Sequence, residues 1–224
     1  MEAAVKRRKL TKQEVDPTAW LVEDLGEYPT SIHLVSTEDG PAYRALKEEA
    51  STATLVAYDA QWSPDFDDGT DNPIALLQLA FPSTGNTYVV QLPLLQRGCP
   101  REVKRLFESP SIKVVGYACS IDIHKLEVTG IKVDKASVID MQPWCEAEMG
   151  ENESVKQGWR VGLKRAAWCV VDFELEKSGV VAASNWEREA LTPTQVEYAA
   201  LDVWIALRLY HRLSDVYEGL EPSA

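Results

Sequence analysis

The stretch from Leu191 to Tyr210 constrains this chain more than any other. Thr192 suits a helix cap, Pro193 suits the first helical position, and Gln195 closes a capping box with Thr192. Good helix formers come next, with no Gly or Pro until Gly219. Val196, Ala200, Val203, Leu207 and Tyr210 recur at three and four residues, which predicts one stripe facing a core. Tyr198 and Asp202 stand four apart and point the same way from another stripe. An acid beside a phenol on a largely apolar helix needs a partner if it is buried. A solvated face is the plain alternative, and the rest of the chain decides between the two.

The chain before this helix reads as strands first, then strands alternating with helices. Ser31–Val35 is expected as an edge strand and Asp39–Ala50 as a short helix. Thr54–Trp62, Ile74–Phe81 and Asn86–Leu92 are strand-like, and the second is almost wholly apolar, so it belongs deep in a sheet. Their links are rich in Asp, Pro and Gly, as in Pro64–Pro73 and Pro82–Gly85, which suggests an antiparallel meander. Then come a helix over Arg101–Glu108, a strand over Ile112–Gly116, a helix over Ile121–Val128 and a strand over Ser137–Asp140. Two helical segments are expected around Trp144–Met149 and Gly162–Ala167, and a polar link through Ser184–Trp186 leads to the last helix. The expected class is α/β, a mixed sheet flanked by helices.

Composition sets limits on function. With 224 residues, 45% of them hydrophobic, the chain suits one sizeable domain. The 35 acids outnumber the 23 bases and give a formal charge of −12, which argues against phosphate binding over the whole surface. An acidic cleft that reaches phosphate through metal ions stays open. The four cysteines are irregularly spaced, form no C-x-x-C, and read as buried reduced thiols, which suits a nuclear or cytoplasmic protein. No apolar run reaches membrane-spanning length and the N-terminus lacks the apolar core of a secretory signal, so no membrane partner is expected. Residues 1–30 read as a flexible tail whose Lys6–Lys9 basic run is a nuclear targeting signal, a phosphate-touching arm or incidental. Residues 31–217 read as the domain, and 218–224 as a C-terminal tail.

The chemistry gathers on carboxylates. Asp59 and Gln61 lie two apart on one strand and so share a face. Asp122 falls at a helix start, where free N–H groups and the helix dipole favour an ionised acid. Asp202, with Tyr198, comes from the closing helix. Oxygen ligands from separate elements are what hard divalent cations require. Two such cations activate a water and stabilise both oxygens in phosphodiester cleavage.

These stretches together resemble the 3′–5′ exonucleases of the DEDD superfamily whose third motif carries tyrosine. The resemblance rests on Val56–Trp62, on Val114–Leu126, and on Ser184–Trp186 leading to Tyr198–Asp202. Ile74–Phe81 and Glu176–Ser178 match as well, so it spans about Ser31 to Tyr217. Members include the Werner-syndrome exonuclease domain, RNase D and the Nibbler-type trimming enzymes. The resemblance implies an RNase H-like fold, two Mg²⁺ or Mn²⁺ ions, and single-stranded RNA or DNA 3′ ends as substrate, with RNA favoured. It implies Asp59, Gln61, Asp122 and Asp202 as metal-site positions, Asp59 bridging both ions, and Tyr198 orienting the attacking water. Trp62, His124, Lys177 and Asn185 are the implied substrate contacts. Plainer readings stand beside them: core aromatic for Trp62, solvated helix edge for His124 and the neighbouring Lys125.

One position departs from the family: Gln61 stands where it has Glu. Gln keeps the shape but offers no anionic oxygen, which should weaken a hard-cation site and impair catalysis. Two accounts of it stay open, a natural pseudo-exonuclease that binds without cutting and an engineered substitution that traps substrate. The alternative to a nuclease is therefore an inactive scaffold for nucleic acid or for a protein drawn to the acidic surface. An unrelated phosphotransferase leaves Tyr198 unexplained. Lys164 and Arg165 could contact phosphate but read first as a solvated helix face, Asp140 as ordering a loop rather than binding metal, and the Asp65–Asp71 loop as hydrated rather than cation-binding.

Overall fold

The computed structural model describes residues 25–64, 70–150, 160–176 and 178–218. The Lys6–Lys9 run, Lys177 and the tail beyond Glu218 lie outside the described residues, as does most of the Asp65–Asp71 loop.

One sheet of six strands organises the chain: β1 (Ser31–Val35), β2 (Leu55–Trp62), β3 (Ile74–Ala80), β4 (Asn86–Gln91), β5 (Lys113–Gly116) and β6 (Val138–Asp140). Their order across the sheet is β1-β4-β3-β2-β5-β6. The meander is as the short links require, with β3 antiparallel to both β2 and β4. β1 joins β4 in parallel, and β5 and β6 extend the sheet in parallel from β2. β3 is buried along its whole length, as its unbroken apolar run demands.

The helices are α1 (Pro41–Thr52), α2 (Arg101–Glu108), α3 (Ser120–Val128), α4 (Met141–Met149), α5 (Leu163–Val171), α6 (Gly179–Ala182) and α7 (Pro193–Tyr217). α1 starts two residues later than its apolar spacing suggests, because Pro41 takes the first turn and Gly40 stands extended before it. The one-turn α6 has no counterpart in the sequence pattern, since four residues carry no periodicity. α7 opens on the full capping box. Thr192 Oγ1 accepts from the Gln195 amide at 3.2 Å, and Gln195 Oε1 accepts from the Thr192 amide at 3.1 Å.

Two layers of helix cover the sheet. Val56, Tyr58 and Ala60 of β2 face one way and join Leu46 of α1 and Leu106 and Phe107 of α2 in one core cluster. Ala57 faces the other way, with Val203, Trp204 and Leu207 of α7 and with residues of α4 and α5. Strand alternation therefore sends Asp59 and Gln61 toward the α7 side. A third cluster joins Ala75, Leu76 and Val89 to Trp186, Ala199 and Ala200. α7 is thus apolar-packed on more than the single expected stripe, with Trp204, Ile205 and Leu209 buried too. The thiols are only partly as expected: Cys119 and Cys145 are buried and Cys99 half-buried, but Cys169 is exposed on α5 beside exposed Trp168.

Candidate active site

Asp202 resolves the ambiguity of the last helix: it is 3% exposed, so its stripe is not a solvated one. It shares with Asp59 the lining of a cavity of about 240 Å³, walled otherwise by Tyr58, Tyr117, Ala118, Gln142, Gly162, Leu163 and Ala206. Tyr58, Tyr117 and Ala118 lie inside the motif stretches, but Gln142, Gly162, Leu163 and Ala206 carry no such signal, because they come from separated segments and meet only once the sheet is folded. Gln61 lies beside Asp59 as the two-residue spacing requires, and its Nε2 donates to Asp59 Oδ2 at 3.0 Å. The strand pairing slips between Gln61 and Trp62, where Gln61 opposes Leu76 and Trp62 opposes Ile74. Such an irregularity bends the strand end and re-aims the side chains there.

Asp122 sits in the first turn of α3 and is 8% exposed. The helix start does not keep it ionised, contrary to the sequence expectation. Burial first, then the negative charges of Asp59 and Asp140, push its carboxyl from 3.8 up to about 8. Desolvation outweighs the dipole because the acid is packed among apolar groups and other acids rather than against water. The same environment raises the Tyr58 hydroxyl and the Cys119 thiol well above their ordinary values, again chiefly by burial.

The loop that delivers Asp122 is tightly built. A Cβ on Gly116 would lie 2.7 Å from Cys119 Sγ and 2.8 Å from Tyr58 Cε1, so glycine is needed there. Ala118 has φ +56°, a left-handed backbone that a non-glycine residue adopts at a cost of about 1–2 kcal/mol. Asp140 orders this loop, as its place at a strand end suggests. Its Oδ1 accepts from the Ala118 amide at 2.8 Å and its Oδ2 from the Cys119 amide at 3.1 Å.

Tyr198 is half-buried on α7 one turn before Asp202, its ring tilted against Trp186 at 5.9 Å. Trp186 is itself buried and donates from Nε1 to the Ala182 carbonyl. Gln195 Nε2 donates to Ser184 Oγ and to the Asn185 carbonyl, so the helix cap also holds the Ser184–Trp186 segment. This second role of Gln195 is not legible in sequence, since capping accounts for the residue fully there.

The expected substrate contacts are placed differently from one another. Trp62 is half-buried against the first core cluster, with Lys125 Nζ 5.5 Å from its ring centroid. His124 Nε2 meets Asp71 Oδ2 at 2.8 Å, and the buried Lys125 donates to Asp71 Oδ1 at 2.6 Å and to the Asn72 carbonyl at 3.0 Å. Both are engaged in holding the end of the β2–β3 loop, and the Lys125 hydrogen bond, first among the causes, holds the Asp71 carboxyl below its usual range. Asn185 is exposed, and its Oδ1 accepts from the Glu187 amide in a local turn. Lys164 and Arg165 are exposed.

The donor chemistry fits a hard divalent cation: carboxylate oxygens, one amide and no thiol cluster. The acids that crowd Asp122 and raise its carboxyl are groups whose mutual repulsion a cation would neutralise. The fit is chemical rather than closed, for among the described residues no three of His, Cys, Asp and Glu are grouped so as to hold a metal ion.

Solved structures that share this architecture include several nucleases. The chain superposes on Escherichia coli RNase D, an exoribonuclease involved in structured RNA processing, at TM-score 0.64 and 23% identity, covering 82% of this chain and 44% of that one. For the Aedes aegypti Nibbler EXO domain the TM-score is 0.62 at 21% identity, with 83% and 88% covered. For Trypanosoma brucei RNase D in complex with RNA U12 it is 0.69 at 18% identity, with 88% and 65% covered. These likenesses establish the RNase H-like α/β fold. The family model for 3′-5′ exonuclease matches residues 32–218, and the chain belongs to that family. Among curated proteins it is 33% identical over 172 residues to mouse and to human Exonuclease 3'-5' domain-containing protein 2. The match covers 75% of this chain but only 25% and 26% of those proteins.

Proposed function

We propose that this chain carries a 3′–5′ exonuclease domain, residues 31–217, acting on 3′ ends of single-stranded nucleic acid, RNA before DNA, with Gln61 holding its activity down. The observation that carries the reading is the pairing of Asp59 and Asp202 across one cavity, with Asp122 close enough to Asp59 to feel its charge. Asp59, Asp122 and Asp202 would hold Mg²⁺ or Mn²⁺, and ions so bound supply an activated water and charge for the phosphodiester oxygens. Asp202 rides on a long buried helix, which fixes its carboxylate, and Tyr198 one turn earlier is braced by Trp186 to orient the water. The preference for RNA draws on the RNA-processing and RNA-bound relatives among the similar structures.

A second reading has its own support. The Gln61 amide donates to Asp59 Oδ2, an oxygen that a metal ion would otherwise take, and the acids do not close on one point among the described residues. On that reading the chain binds nucleic acid, or a protein attracted to its excess of acids, without cutting. The test of polarity uses Gln61→Glu with Mg²⁺ or Mn²⁺ on single-stranded RNA and DNA. A 5′-labelled strand should shorten as a ladder and a 3′-labelled strand should release its label as mononucleotide at once. Internal fragments from either label would overturn the exonuclease reading, and tight binding with no product would favour the scaffold.

A further inference from the structure

We infer that Asp140 is a positioning residue for the metal site: its carboxylate fixes the strained loop that sets where the Asp122 side chain stands. The inference rests on the proposed role of Asp122 and goes beyond it, since Asp140 lines neither the cavity nor the metal set. Three hydrogen bonds converge on this one side chain. Oδ1 accepts from the Ala118 amide at 2.8 Å and from the Gln142 amide at 2.9 Å, and Oδ2 accepts from the Cys119 amide at 3.1 Å. One side chain thus serves as the cap of α4 and as the anchor of the β5–α3 loop. Capping alone requires one oxygen; the other contacts go to the residue with φ +56° and to the one after it. Strained backbone persists where surrounding structure over-determines it, and here the loop is held from both sides. Gly116 is wedged by Cys119 and Tyr58, and Asp140 pins the amides of Ala118 and Cys119. Ser120 then begins α3, so Asp122 comes three residues after the pinned Cys119 with helical geometry throughout. Little freedom remains between the anchor and the carboxylate.

The loop-holding role separates cleanly from the others. Asp140→Ser keeps a good cap oxygen for Gln142 but is too short to serve both loop amides. Asp140→Asn keeps Oδ1 for Ala118 and Gln142, turns a donor toward Cys119, and removes the same negative charge as serine does. Any loss shared by the two variants is therefore charge together with the Cys119 contact, and any loss beyond that in serine is position held through Ala118. The measurement is Mn²⁺ affinity by isothermal titration, with melting temperature alongside, in both the chain as it stands and Gln61→Glu. In Gln61→Glu, kcat and KM on a single-stranded oligonucleotide are read as well. Residues that orient metal ligands usually govern affinity or activity by about 10–100-fold. Asp140→Ser should lose Mn²⁺ affinity in that range beyond Asp140→Asn, with a fall in melting temperature too small to account for it and the kinetic loss in kcat rather than KM. Asp140→Thr, with the same capping hydroxyl, replaces serine if that variant does not fold. Equal Mn²⁺ affinity in the asparagine and serine variants would overturn the inference, as would a loss that merely tracks melting temperature. If Mn²⁺ affinity falls as expected but Gln61→Glu trims nothing, the positioning role stands and the nuclease reading fails.

Discussion

Replacing Asp122 by Asn should stabilise this domain in mildly alkaline solution and leave it unchanged in acid. Burial, Asp59 and Asp140 raise the Asp122 carboxyl from 3.8 to about 8. The folded state therefore keeps a proton that the unfolded chain releases, and folding stability falls as pH rises between those values. The contribution is whole below about pH 4 and lost as pH passes through about 8. Carried over that whole span, the linkage amounts to on the order of 5 kcal/mol. Water entry and side-chain relaxation around an ionised Asp122 would reduce it to about 2–3 kcal/mol. Asn has nearly the same shape and stays neutral, so Asp122→Asn escapes that loss. For a domain of this size the melting temperature of the variant should exceed the parent's by about 4–12 °C at pH 9 and converge on it near pH 4. The assay is thermal unfolding by circular dichroism in EDTA from pH 4 to 9, read as the difference between the two proteins so that shared titrations cancel. Mn²⁺ at pH 8 should then stabilise the parent far more than the variant, because binding to the folded state alone raises its stability. Melting temperatures that stay parallel across the whole pH range would show that Asp122 ionises as freely in the folded domain as in the unfolded chain.

Three further outcomes rest on particular contacts. Gly116→Ala should cost about 1–3 kcal/mol and lower the melting temperature, because its Cβ would press on Cys119 Sγ and Tyr58 Cε1; an unchanged melting temperature would show that the loop yields freely. Thr192→Ala should cost about 1 kcal/mol through loss of the cap, with amide exchange rising at the start of α7 rather than at its middle. Tyr198→Phe in the Gln61→Glu protein should retain oligonucleotide binding by fluorescence anisotropy while losing trimming, since the ring against Trp186 is kept and only the hydroxyl is removed.

Periodicity carries most of the fold. The unbroken apolar run of β3 and the capped helix α7 mark the centre of the sheet and its covering layer, and strand alternation places Asp59 beside Gln61. Parallel pairing of β1 with β4 is not legible, because an edge strand shows where it ends but not what it joins. The site is legible as a set of residue types and only partly as an environment. Asp122 reads as an ionised acid at a helix start, whereas its burial beside Asp59 depends on long-range packing that no local pattern records. Lys125 looks like a surface lysine on a short helix, yet it lies buried against Asp71, Asn72 and Trp62, residues more than fifty positions earlier in the chain. The three-fold grip of Asp140 needs two amides some twenty residues earlier in the chain, which spacing along the sequence does not suggest.

The decisive measurement is the rate at which Gln61→Glu trims an end-labelled single-stranded oligonucleotide relative to the chain as it stands, at equal Mg²⁺ or Mn²⁺. Glu at this position replaces an amide that donates to Asp59 Oδ2 with a carboxylate that turns the same place into a cation ligand, without a change in length. A gain of about 3 kcal/mol in transition-state stabilisation corresponds to roughly two powers of ten in rate. An increase of about that size is expected, abolished by EDTA. If Gln61→Glu stays inert on both RNA and DNA while binding either tightly, the domain is not a nuclease held down by Gln61.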